Sequence, residues 1–83
     1  MRLDIRDIVC TAEVYAKISG KHHLSLDDVW FACLHPRAAA WDDDAERGRR
    51  LLVRGVTQGG RVIRVILYPV EDIPRTWALA TAF

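Results

Sequence analysis

Arg49-Arg50-Leu51-Leu52-Val53-Arg54-Gly55-Val56-Thr57-Gln58-Gly59-Gly60-Arg61-Val62-Ile63-Arg64-Val65-Ile66-Leu67-Tyr68 is the stretch that decides the fold. Two runs rich in β-branched and aliphatic residues flank Gln58-Gly59-Gly60, and a short glycine-bearing connection between such runs marks a β-hairpin. Side chains on a strand alternate between its two faces. With a two-residue turn, one face would carry Leu51, Val53, Gly55, Thr57, Val62, Arg64, Ile66 and Tyr68. The other would carry Arg50, Leu52, Arg54, Val56, Arg61, Ile63, Val65 and Leu67. A three-residue loop would break this parity. The first face is the expected core, with Arg64 fitting beside Gly55. The second has an apolar stripe edged by Arg50, Arg54 and Arg61. Such a face suits RNA or a protein partner. It equally suits packing under helices, with the arginines solvated at its ends.

Upstream of the hairpin, helical signals dominate. Ile8-Val9-Cys10 is a short β-capable run, after which Thr11 can cap a helix reaching about Ser19, with Glu13 in its first turn and Gly20 ending it. Ser25-Leu26-Asp27-Asp28 places a hydroxyl at an N-cap and a carboxylate three residues later, a capping box with Asp in the place usually held by Glu. Leu24 and Val29 form the matching hydrophobic staple. This second helix is expected from Leu26 to about Leu34, burying Leu26, Val29, Trp30, Cys33 and Leu34, and His35-Pro36 stops it. Arg37 to Trp41 reads as a short strand or an extended lead-in, residues 42–48 as a polar turn, and Thr76 to Phe83 as a last strand. The resulting expectation is one α+β domain over residues 1–83, with two N-terminal helices packed on a small antiparallel sheet of about four strands.

Composition bounds the function. The chain has 83 residues, 51% of them hydrophobic and 28% charged, which argues against disorder and for a small globular core. Its net charge is only +1, yet ten of its twelve basic residues are Arg, whose planar fork suits phosphate and carboxylate. Cys10 and Cys33 are too few for a disulfide framework and lie in apolar surroundings, so reduced thiols in a cytoplasmic protein are expected. No apolar run is long enough to span a bilayer, and Asp4 and Asp7 are unlike a signal peptide.

No nucleophile elbow, phosphate loop, HExxH or CxxC is present. The adjacent carboxylates Asp42, Asp43 and Asp44 do not have calcium-loop spacing, so neither a metal site nor a cofactor is expected. The one dense group of proton-transfer residues is Lys21-His22-His23. A histidine titrating near neutrality can act as general acid or base in RNA cleavage, and Lys21 can hold a phosphate. The same residues would serve equally as a polar loop between helices. His35 reads as a capping group for helix carbonyls, and Trp30, Trp41 and Trp77 as core residues dispersed along the chain.

Taken in order, three stretches resemble the BrnT-like toxins of bacterial type II toxin–antitoxin systems, relatives of the RelE-like ribonuclease fold. Lys21 to Val29 looks like the family's turn into its second helix, Gly48 to Arg61 like its hairpin, and Thr76 to Thr81 like its last strand. The resemblance spans about Ile8 to Ala82. It implies a compact, metal-independent endoribonuclease that inhibits translation and is neutralised by a cognate antitoxin protein. It carries over His22 from the helix-entry turn and Arg49 and Arg61 from the hairpin. Joined to the reading of the residues themselves, catalysis is expected of His22, His23 and Arg61, and RNA binding of Lys21, Arg49, Arg54 and Arg61. The sequence departs from the pattern at His23, in place of the turn's glycine, at Val56, in place of the hairpin's second arginine, and at Ala82, in place of an arginine in the last strand. The alternative expectation is a non-catalytic binding module that pairs with an antitoxin-like partner or with a second copy of itself.

Overall fold

The computed structural model describes residues 3–83. The elements run β1 (Asp7–Val9), α1 (Ala12–His22), α2 (Leu26–Leu34), β2 (Pro36–Asp44), β3 (Gly48–Val56), β4 (Val62–Pro69) and β5 (Thr76–Ala82). The strands form a sheet in the order β1-β5-β4-β3-β2. All neighbours are antiparallel except β1, which pairs parallel to β5 through Asp7, Ile8 and Val9. The α+β class agrees with the sequence. The expected four-stranded antiparallel sheet is corrected to a five-stranded mixed one, because Ile8 and Val9 find a partner in Trp77 and Ala78, far along the chain.

Both helices begin as their caps dictate. The Thr11 hydroxyl accepts from the Val14 amide at 3.2 Å. Ser25 and Asp28 exchange bonds reciprocally, the Asp28 amide donating to Ser25 Oγ at 3.1 Å and the Ser25 amide to Asp28 Oδ2 at 2.9 Å. The first helix does not end at Gly20, as the sequence suggested, but continues to His22. There His23 turns into the left-handed region (φ 55°) and both its amide and that of Leu24 reach back to the Ile18 carbonyl. Leu34 is exposed rather than buried, and Ala32 takes its place in the core.

The hairpin loop holds three residues, not two. Thr57 pairs with Arg61, the Gly60 amide donates to the Thr57 carbonyl at 2.9 Å, and the Arg61 amide donates to Thr57 Oγ1 at 3.1 Å. Gly60 has φ +91°, the left-handed residue that a three-residue hairpin loop needs. The extra residue shifts the register, so Leu51 faces Leu67, Val53 faces Val65 and Gly55 faces Ile63. The two-residue parity is thereby overturned. Ile63, Val65 and Leu67 join Leu51 and Val53 on the buried side, while Val62, Arg64, Ile66 and Tyr68 join Leu52 and Arg54 on the other.

One core follows from this pairing. Ile18, Leu24, Val29, Ala32 and Cys33 of the helical layer pack on Leu51, Val53, Ile63, Val65, Leu67, Leu79 and Ala82. The α2 backbone passes so close to β3 that a Cβ on Gly55 would lie 2.3 Å from the Ala32 carbonyl oxygen, so only glycine fits there. At the end of the sheet away from the hairpin loop, Trp41 and Trp77 meet across β3 and β4 with ring centroids 5.6 Å apart. Trp77 is buried there, whereas Trp41 is about half exposed. On the opposite face of the sheet no helix packs among the described residues. Among the described residues no helix is long and apolar enough to cross a membrane.

Candidate functional site

The uncovered face of the sheet divides along its length. Toward the β2–β3 turn it is tied together by local bonds. Arg50 meets Asp42 at 2.7 Å, the Tyr68 hydroxyl donates to Asp44 Oδ2 at 2.7 Å, and the Arg47 guanidinium lies 4.1 Å over the Tyr68 ring. The Tyr68 hydrogen bond, with a second from the Glu46 amide, holds the Asp44 carboxyl below the usual carboxylate range. The residues expected to form a loose polar turn therefore extend β2 through Asp44, and two of their carboxylates are in use within the fold.

Toward the hairpin loop the same face is different. Arg54 and Arg64 stand directly opposite one another. Arg64 exchanges both backbone bonds with Phe83, at 2.8 and 2.9 Å, so its pairing with Arg54 is of the non-hydrogen-bonded kind. Such pairs bring Cα atoms to about 4.5 Å, the closer of the two antiparallel spacings. Among the described residues neither arginine has a salt bridge or side-chain hydrogen bond, the two ion pairs being Arg50–Asp42 and Arg75–Asp4. Like charges directly opposed on a strand pair are unfavourable for the fold. Beside them runs a groove of about 340 Å³, floored by Ala38, Ala40, Leu52 and Ile66 and flanked by Phe83.

The sequence-predicted residues fall into three places. Lys21 and His22 in the last turn of α1, its cap His23 and Arg61 gather at the α1 C-terminus, where Arg61 Nη1 donates to the His22 carbonyl at 2.8 Å. This cationic bond to a helix C-terminus is electrostatically favourable in its own right. The His22 ring lies 6.1 Å from Phe83, which in turn pairs with Arg64, so this cluster abuts the hairpin end of the uncovered face. Arg54 lies on that face itself. Arg49 is apart from both, stacked 4.2 Å over Trp41 on the helix side of the sheet. Sequence reasoning missed Arg64, because the assumed turn length turned it toward the core. Its signal was available: a charged residue placed in a core is costly, which favours the three-residue loop.

The fold also separates charge that the net value conceals. Asp42, Asp43, Asp44, Glu46, Glu71 and Asp72 lie with Arg47, Arg49, Arg50 and Arg75 at or beside the turns opposite the hairpin loop, while Lys21, Arg54, Arg61 and Arg64 lie toward it. An anion approaching this molecule is drawn to the hairpin end more than to the other, where arginines and carboxylates are mixed. Ala82, standing where the resemblance places an arginine, is fully buried against the helices and contributes nothing to this surface. Both thiols are away from it, and burial pushes Cys33 up to about 12. Among the described residues no group of three or more potential metal-ligating side chains occurs. No protein-family model, no curated protein and no solved structure matches the chain.

Proposed function

We propose that this chain is an RNA-binding protein of the BrnT-like toxin kind, which engages RNA at the hairpin end of its uncovered sheet face. The observation that carries this reading is that Arg54 and Arg64 are directly opposed and, among the described residues, without an ion-pair partner. Two arginines rooted at directly opposed positions, with no carboxylate partner among the described residues, make a site for a phosphodiester, which would relieve their repulsion. The two helices on one face of a largely antiparallel sheet agree with the fold the resemblance implies. A further support lies in the helix-entry turn. The position where the resemblance puts a glycine is held by His23 with φ +55°, a conformation glycine adopts most readily.

In this reading Arg54 and Arg64 hold the RNA backbone, and Lys21 and Arg61 extend the positive surface toward α1. His22 or His23 accepts the proton of a ribose 2′-hydroxyl, whose oxygen attacks the adjacent phosphorus and expels the 5′-oxygen of the next nucleotide. The products would be a 2′,3′-cyclic phosphate and, once the leaving oxygen takes a proton, a 5′-hydroxyl. An antitoxin protein would neutralise it. Expression in a bacterium, with growth and RNA integrity followed, tests the toxin reading: growth arrest with cleaved RNA is expected. Normal growth with intact RNA, from verified soluble protein, would contradict it.

The second reading is a binding module without catalysis. It is favoured by the engagement of Arg61 Nη1 with the His22 carbonyl and by Ala82, which is buried and brings no donor from β5. RNA binding without cleavage of the bound strand would select it.

A further inference from the structure

Three consecutive alanines, Ala38-Ala39-Ala40, sit in the middle of β2. Alanine is a poor strand former, and an edge strand gains little from it by packing. What these residues supply is space. Ala38 and Ala40 pair with Arg54 and Leu52, and so share the uncovered face with them. With only methyl groups on β2, Leu52 and Ile66 form the floor of an open trough bounded by Arg54, Arg64 and the Phe83 ring. Its volume of about 340 Å³ falls at the lower end of the range for small-ligand sites.

We propose that this trough receives one unstacked nucleobase of a single-stranded RNA whose phosphates lie on Arg54 and Arg64. The inference rests on the RNA-binding reading and specifies it further. Complementarity commits the site to this occupant. The trough is apolar and carries an aromatic ring along one side, which suits the face of a base. Arg54 and Arg64, without ion-pair partners among the described residues, stand at its border, where the backbone attached to that base would run. A base within a duplex is stacked on both faces and cannot enter. The protein therefore discriminates single strands from duplexes by shape, in addition to attracting both by charge.

Filling the trough separates this inference from the reading beneath it. Ala40→Leu places a larger side chain on the floor without altering charge, and the position faces no helix. Binding is measured by fluorescence anisotropy with a labelled single-stranded RNA and with a duplex carrying the same strand. Circular dichroism and urea unfolding verify that the variant is folded, and Phe83→Ala serves as a second variant that empties the wall. The wild type is expected to prefer the single strand. Ala40→Leu is expected to lower single-strand affinity about tenfold, within the range of one lost base-stacking contact, and to leave duplex binding unchanged. Equal affinity of the wild type for the two forms, or single-strand binding unaffected in both variants, would overturn the inference while leaving RNA binding standing. Absence of binding to either RNA would remove the RNA reading, and this inference with it.

Discussion

Arg54 and Arg64 face one another across the β3–β4 ladder on the side of the sheet that no helix covers, and among the described residues neither meets a carboxylate. The fold holds these charges together at some cost, and that cost is measurable. Arg54→Gln is expected to raise stability by about 0.2–1 kcal/mol, the scale of a cross-strand pair, while weakening RNA binding. Urea unfolding and an RNA titration on the same protein check the two effects. A variant that is less stable and binds RNA as well as the wild type would assign the pair a purely structural role.

His23 presents the same opposition in the backbone. It holds a left-handed conformation at the end of α1, which disfavours any residue with a Cβ. His23→Gly should stabilise the protein by about 1 kcal/mol, the lower end of the left-handed penalty. If His23 transfers the proton in cleavage, RNA cleavage falls as thermal stability rises. Unchanged cleavage would assign the proton transfer to His22.

Gly55 marks the tightest approach between the layers. A methyl group there would meet the Ala32 carbonyl at 2.3 Å, against backbone that cannot rotate away. Gly55→Ala is expected to cost about 3 kcal/mol, the upper end of the usual overpacking range, because α2 must move as a unit. Chemical denaturation reads this directly. A loss below about 0.5 kcal/mol, the scale of ordinary surface substitutions, would mean that α2 is free to lift from the sheet.

Asp44 gives the acid side of the stability curve a defined contributor. Its carboxyl is held below the ordinary range by the Tyr68 hydroxyl and the Glu46 amide. A lowered folded-state pKa contributes stability that is complete above about pH 4, the unfolded carboxylate value, and is lost as pH falls through the folded value. Tyr68→Phe should therefore destabilise the protein at neutral pH and flatten the pH dependence of its unfolding below about pH 4. Parallel wild-type and variant curves across that range would contradict this.

These features differ in how far they could be read from the chain. Ser25 and Asp28 form a local signal, complete within four residues, and the structure reproduces it as a reciprocal cap. The position of the hairpin was equally legible, because its two aliphatic runs and its glycines lie side by side. Its faces were not, because Gln58-Gly59-Gly60 serves a two-residue turn or a three-residue loop, and one residue inverts every side chain of β4. The bond from the Arg61 amide to the Thr57 hydroxyl settles the loop, but threonine has many other roles in strands. Of β1, only Ile8 and Val9 were visible, within the β-capable run Ile8-Val9-Cys10, since their partner in β5 lies about seventy residues away and parallel pairing leaves no turn motif. The basic end of the molecule was hidden for a similar reason: Lys21, Arg54, Arg61 and Arg64 come from separate elements that only the sheet and the α1 terminus bring together.

The most direct test of the central claim is the salt dependence of RNA binding. A labelled single-stranded RNA is titrated with the wild type and with an Arg54→Glu/Arg64→Glu variant, across about 50–200 mM salt. The wild type should bind with an affinity that falls steeply as salt rises. The variant should bind far more weakly, with a slope shallower by about 1.4, the value for two lost phosphate contacts on a single strand. Equal affinity and equal slope for the two proteins would show that the uncovered face does not hold RNA.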